Sequence, residues 1–179
     1  MSPHDIQTEH AFDAKLCAQI KLFLKSENAK SIADMGCGLG NYTSELNKDG
    51  TFQCEGFDGN PATPVLTNDT CKVLDLSKSH EFGKTYDWVM SLEVGEHIPK
   101  EYEHILIDNL CKSTEHGVIL SWAIIGQGGA GHVNCQNNDY IIDVMGNKGF
   151  TYDSLASNEM RKNATLSWFK NTVMVFRKK

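Results

Sequence analysis

Ser31-Ile32-Ala33-Asp34-Met35-Gly36-Cys37-Gly38-Leu39-Gly40 is the stretch from which the rest of the chain is read. A short apolar run ends on an acidic residue, and three glycines follow at every second position. Asn41-Tyr42-Thr43-Ser44-Glu45-Leu46 then continues as a polar, helix-compatible segment. The order is strand, tight turn, helix. Glycine lets the backbone turn sharply and lets a ligand lie against the main chain where a Cβ would stand in the way. The spacing separates this loop from the dinucleotide fingerprint G-x-G-x-x-G, whose acidic residue comes well downstream. Here the glycines run G-x-G-x-G, and Asp34 stands two residues before the first. A carboxylate beside the loop disfavours a pyrophosphate and favours a cationic ligand.

Outward from the loop, apolar periodicity divides the chain into alternating elements. Phe12, Leu16, Ile20 and Leu24 predict an amphipathic helix over 9–25. Strands are expected at 31–35, 51–57, 71–76, 86–92 and 117–122, with the last strands at 150–152 and 168–175. Helices are expected at 41–48, stopped by Asp49-Gly50, at 100–112 after Pro99, and at 138–147. The stretch 61–70 has room for a brief helix at most. This alternation implies an α/β protein with a parallel sheet, in which ligands bind outside the carboxyl ends of the strands. Candidate residues recur there. Asp58 closes the second strand, 18 residues after Gly40, and its two oxygens can accept hydrogen bonds from both hydroxyls of a ribose. Asp75 closes the third strand, and Glu93 follows the fourth in Ser91-Leu92-Glu93-Val94-Gly95-Glu96-His97-Ile98-Pro99.

Asp34, Gly36, Gly38 and Gly40, followed by Asp58, Asp75 and the Glu93–Ile98 run, resemble the ordered motifs of class I S-adenosylmethionine-dependent methyltransferases over residues 30–125. The resemblance implies a Rossmann-like doubly wound, mostly parallel seven-stranded sheet with an antiparallel C-terminal strand. It implies one methyltransferase domain over 1–179, with a helical cap at 1–30. Its cofactor is S-adenosylmethionine, released as S-adenosylhomocysteine. It implies that Gly36, Cys37, Gly38 and Gly40 pass beneath the methionine part, with Asp34 near its amino group. Asp58 and Gly59 serve the ribose, Asp75 and Leu76 the adenine, and Glu93 the methionine side. The Asn/Asp-Pro-Pro-Tyr/Phe motif of amino-methylating DNA enzymes does not occur after the fourth strand.

Methyl transfer from a sulfonium is an in-line displacement that chiefly demands positioning in a dry site, with a general base where the nucleophile carries a proton. His132, His97 and Glu96 are the candidates for acceptor chemistry. His132 and Asn134 lie in a glycine-rich loop at 126–138 suited to covering a substrate. Against this, His97 and His132 could order the loops that carry them. Ser121, Trp122 and Tyr42 stand near the expected pocket, as do His4 and His10 in the N-terminal segment, and for these packing or surface roles weigh more. Met35 and Met90 are assigned to the core.

The net charge of −6 across 179 residues supplies no basic footprint for a phosphate backbone, which argues against nucleic acid and for a small-molecule acceptor. The six cysteines form no C-x-x-C pair, so free thiols in a reducing cytosol are expected and no metal ligands are assigned. The start carries no signal-peptide pattern and no apolar run reaches membrane-spanning length. Oligomeric state is left open. The alternative reading is a non-catalytic S-adenosylmethionine-binding module that supports a partner protein.

Overall fold

The structure, a computed structural model, describes residues 11–179. Among the described residues seven strands form one sheet: β1 (Ser31–Met35), β2 (Gln53–Asp58), β3 (Cys71–Val73), β4 (Tyr86–Leu92), β5 (Thr114–Ser121), β6 (Phe150–Tyr152) and β7 (Met174–Lys178). Their spatial order is β3-β2-β1-β4-β5-β7-β6. The pairs from β3 to β5 are parallel, and β7 runs antiparallel to both β5 and β6. This is the Rossmann-like doubly wound sheet with one antiparallel C-terminal strand that the family resemblance implies. The chain leaves β1 toward β3 on one side and returns to place β4 on the other edge of β1. Strand order reverses there, and the carboxyl ends of β1 and β4 part to leave a crevice.

Helices cover both faces: α1 (Ala14–Ser26), α2 (Asn41–Asn47), α3 (Thr63–Leu66), α4 (Glu103–Lys112), α5 (Asn138–Asn147), α6 (Ser154–Asn163) and α7 (Phe169–Thr172). One core joins Ala33, Val89 and Val118 to Leu106 and Leu110 of α4 and to Ile141 of α5. The other joins Ile32, Met90 and Ile119 to Leu16 and Ile20 of α1 and to Met160 of α6. Successive strand residues point to opposite faces, so Ile32 and Ala33 are both fully buried because helices close both sides. That double burial is why these strands read as unbroken apolar runs. Met35 and Met90 are core residues, as expected. Among the described residues all six cysteines are free thiols, and no helix is long and apolar enough to cross a membrane.

Some boundaries differ from expectation. The strand expected over 168–175 is instead the short helix α7 followed by β7. The amides of Asn171 and Thr172 both bond Trp168 O at 3.0 Å, and the turn buries Phe169 and Thr172 on one side. The third strand stops at Val73, so Asp75 lies two residues beyond it in the following turn. A 3-10 turn over Lys100–Tyr102 precedes α4, β5 starts at Thr114, and α6 had no counterpart in the sequence reading. His4 and His10, with part of the expected cap over 1–30, lie outside the described residues.

The helix expected from residue 9 starts at Ala14 because Asp13 caps it. Asp13 Oδ1 accepts from the Leu16 amide at 3.0 Å, and Oδ2 accepts from Thr165 and Leu166 at 2.6 and 2.8 Å, more than 150 residues away. Arg177 of β7 makes a second such link, donating to both oxygens of Glu27 at 2.7 and 2.8 Å and to Asp153 at 2.6 Å. Burial pulls the Asp13 carboxyl up, but the hydrogen bonds from Leu166, Leu16 and Thr165 outweigh it and hold its pKa below the ordinary aspartate value of 3.8. Its contribution is therefore complete above the unfolded pKa and is lost as pH falls through the lower folded one. Asp13→Ala removes the cap and strands two part-buried amides, at a cost of about 2–4 kcal/mol at neutral pH. Urea unfolding checks this value, and the difference from wild type should shrink in acid.

Candidate functional site

The loop after β1 is tied to β2. The amides of Gly36 and Cys37 both donate to Phe57 O, at 2.7 and 2.9 Å. Gly36 holds φ at 89°, and a Cβ there would stand 2.1 Å from Val94 Cγ2. The backbone thus passes directly against the segment that follows β4. Asp34, almost fully buried, accepts from Thr43 Oγ at 2.8 Å. Burial pushes its carboxyl up to about 7 and the charge on Asp58 adds to this, while the Thr43 hydrogen bond pulls the other way. Asp58 accepts from the Gly38 amide through Oδ2 and from the Asn60 amide through Oδ1, each at 2.9 Å. Asp75 is held in its own turn, accepting from Ser77 N at 3.1 Å and pairing with Lys78 at 3.1 Å.

These elements enclose a cleft of about 1060 Å³ at the carboxyl edge of the sheet. Of the cofactor and catalytic candidates Asp34, Gly36, Cys37, Gly38, Gly40, Asp58, Gly59, Asp75, Leu76, Glu93, Glu96, His97 and His132, all but Gly40 line it, and Asn134 does not. Gly40 instead serves as the N-cap of α2, with φ of 71°. Tyr42 lines the cleft, whereas Ser121 and Trp122 do not. Ser121 Oγ accepts from the Glu93 amide at 2.9 Å, and the buried Trp122 indole donates to Asn134 O at 2.7 Å. Both therefore shape the site from behind. Phe12, Trp168 and Phe169 also line the cleft, and the sequence reading missed their roles there. They reach it from parts of the chain far from the motifs, and no local spacing marks them.

The turn after β4 forms the opposite wall. Glu93 adopts a left-handed backbone with φ of 54°, a conformation that costs a non-glycine residue about 1 kcal/mol or more and tends to occur at functional sites. Its carboxylate accepts from Gln127 Nε2 at 2.7 Å and from Thr172 Oγ at 3.4 Å. Glu96, in the 3-10 turn Gly95–His97, is fully buried, and neither of its carboxylate oxygens has a hydrogen-bond partner among the described residues. Burial first, and then the neighbouring Glu93 carboxylate, raise its pKa well above the ordinary glutamate value; the nearby amides of Glu96 and Ala123 offset only part of this. The loop at 126–138 is fastened to this turn, since Val133 N and Asn134 N both donate to Glu96 O, at 2.8 and 3.0 Å. Asn134 is buried and donates to Glu103 at 2.8 Å, so its role is to hold the loop. His132 places Nδ1 3.1 Å from Gln127 O, and His97 places Nδ1 3.3 Å from Gly131 O. The two rings stand edge to face with centroids 5.1 Å apart, and His132 Nε2 is 4.0 Å from Glu96 Oε1.

Sheet order and cleft together are those of the class I methyltransferase fold. A magnesium protoporphyrin IX methyltransferase from Synechocystis, solved with S-adenosylhomocysteine, matches with a TM-score of 0.71 at 19% identity, covering 98% of this chain and 86% of that one. The N-methyltransferase NodS from Bradyrhizobium japonicum, with the same ligand, matches at 0.67 and 13% identity, covering 98% and 97%. The sugar N-methyltransferase KedS8 from Streptoalloteichus matches at 0.71 and 11%, covering 93% and 87%. No curated protein matches the sequence. A family model described as a methyltransferase domain matches residues 8–123. The chain belongs to that family.

Proposed function

We propose that the chain transfers the methyl group of S-adenosylmethionine to a small-molecule acceptor. The observation that carries this reading is the meeting of two unlike walls in one cleft. On one side are a glycine loop and two carboxylates suited to an ammonium and a ribose; on the other is a corner of Glu96, His97 and His132 suited to a polar acceptor. When bound, the cofactor supplies a sulfonium methyl open to displacement. Asp34 answers its ammonium, Asp58 and Gly59 its ribose, Asp75 and Leu76 its adenine, and Gly36, Cys37, Gly38 and Glu93 the methionine. Gly40 sets the loop's turn. Glu96, His97 and His132 meet the acceptor and govern its proton, and the loop at 126–138 keeps water away from it. Small-molecule acceptors also figure in the names of the porphyrin and sugar methyltransferases that share the fold.

Calorimetric titration with S-adenosylhomocysteine should show one site per chain, and an acceptor screen that follows S-adenosylhomocysteine release should give turnover. Absence of binding sinks the reading. Binding without release for any acceptor class identifies the non-catalytic module instead. The raised pKa of Asp34 sets a pH dependence. In the empty cleft Asp34 holds its proton below about pH 7, yet the ligand's ammonium requires the carboxylate. Binding then expels a proton, so affinity for S-adenosylhomocysteine is level above this pH and falls by up to about tenfold per unit below it. Titrations in buffers of different ionisation enthalpy measure the proton released, and Asp34→Asn should abolish the dependence.

A further inference from the structure

We propose that Glu96, His97 and His132 form a binding site for a divalent first-row transition cation, whose open coordination positions face the cleft and take an oxygen of the acceptor. The sequence reading assigned no metal ligands; the placement of these side chains argues otherwise. One ligand atom from each of the three lies within 4.8 Å of those of the other two. Donors on a shared ion at about 2.0–2.2 Å stand roughly 3 Å apart, so small side-chain rotations close the set.

Four features favour a cation here over an ordinary loop contact. Glu96 is fully buried with neither carboxylate oxygen hydrogen-bonded among the described residues, an arrangement that is costly without a compensating partner. A second carboxylate, Glu93, stands close enough to repel it, and Gln127 and Thr172 hold that group in place. Both imidazoles turn Nδ1 to a backbone carbonyl, which can only accept. The proton therefore sits on Nδ1 and the lone pair on Nε2, the orientation that outer carbonyls impose on metal-ligating histidines. Finally, residue 129 is glycine, and a Cβ there would fall 2.2 Å from His132 Nε2. The glycine backbone therefore lies against the imidazole and fixes where its ring stands.

The chemistry selects the ion class. Two imidazoles and one carboxylate suit manganese, iron, cobalt or zinc better than magnesium or calcium. Burial runs from Glu96 at the floor through His132 in the wall to His97 at the exposed mouth, so protein closes one side and the cleft the other. An acceptor hydroxyl bound on the open side loses its proton to solvent more readily. A metal-bound His132 then has no need to act as base. The acceptor part of this inference rests on the methyl-transfer reading, whereas the cation site does not.

The test uses the full chain stripped of metal. Titration with Co²⁺, followed by its visible absorption, and with Mn²⁺, followed by calorimetry, should reveal one ion per chain. Glu96→Gln and His132→Gln should each weaken Mn²⁺ affinity by more than about tenfold. Gly129→Ala keeps every donor but pushes the His132 ring out of place, and should weaken it as well. S-adenosylhomocysteine affinity should stay unchanged in all three variants, which also reports that the cleft is folded. No ion bound at millimolar Co²⁺ or Mn²⁺, or affinity equal to wild type in the variants, overturns the site. If the wild type binds Mn²⁺ but not S-adenosylhomocysteine, the methyl-transfer reading falls and the cation site stands; the converse removes the cation site alone.

Discussion

Alanine at Asp58 should lower affinity for S-adenosylhomocysteine on the order of a hundredfold, while leaving the sheet intact. Asp58 ends β2 at the cleft, and each carboxylate oxygen already accepts one backbone amide, Gly38 on Oδ2 and Asn60 on Oδ1. Those two bonds fix the carboxylate's plane, and the remaining lone pairs are left for ligand hydroxyls. A hydrogen bond to a charged group contributes about 1.5–3 kcal/mol. Losing two of them, less what water recovers, leaves about 3 kcal/mol, which is roughly two powers of ten in affinity. The Gly38 amide also loses its acceptor, so the glycine loop loosens. Calorimetry against wild type, with circular dichroism as the check on folding, measures the loss. A change smaller than about threefold removes Asp58 from the site.

Gly36→Ala should damage both stability and binding. Its φ of 89° already strains any residue with a Cβ, at about 1–3 kcal/mol. The new methyl would also sit 2.1 Å from Val94 Cγ2, and overpacking of this kind adds about 1–3 kcal/mol. Together these reach about 2–6 kcal/mol, a large share of the 5–15 kcal/mol that holds a typical domain folded. Gly50→Ala provides the contrast. That glycine also has positive φ, at 69°, but nothing lies within 4 Å of its absent Cβ, so only the strain remains. Urea midpoints for the two variants should separate the clash from the strain. Because the clash sets the glycine loop against Val94, which lies between Glu93 and Glu96 in the facing wall, it disturbs both walls of the cleft, and S-adenosylhomocysteine binding should be lost in Gly36→Ala alone. Equal behaviour of the two variants would contradict this account.

The parts of the fold that were legible in the sequence owe their clarity to double burial. Ile32-Ala33 and Val89-Met90 must be apolar at consecutive positions, and only a covered sheet asks for that. The glycine loop was legible because its backbone conformation is a property of glycine itself. α6 was not. Of its side chains only Ser157 and Met160 are buried, so the segment is polar overall and offers too few apolar residues to read as a core-facing helix; the Asp153 cap, which accepts from Ala156 N at 2.9 Å, was a local sign of it. The segment 168–175 misled for the opposite reason: Trp168, Phe169, Val173 and Val175 are apolar enough for a strand, and only the hydrogen bonds back to Trp168 turn its first half into α7. In the site, His97, His132 and Glu96 could be named from their loops. Their mutual distances depend on how the 126–138 loop crosses the Glu96 turn, through bonds from Val133 and Asn134 to Glu96 O, and no sequence spacing encodes that crossing.

The ties from Asp13 to Thr165 and from Glu27 to Arg177 also bear on how the chain is made. α1 is made well before the groups that complete its cap and cover its flank, which lie some 150 residues further along the chain. Contacts that span most of a sequence carry a high loop-closure cost and slow folding. Until β7 inserts between β5 and β6, the edge of β5 stays unpaired and the apolar face of α1 lacks part of its cover. A nascent chain halted shortly before residue 165 would expose just such surfaces to aggregation and to chaperones. The strand that completes the sheet thus also sets the moment at which the chain can first become stable.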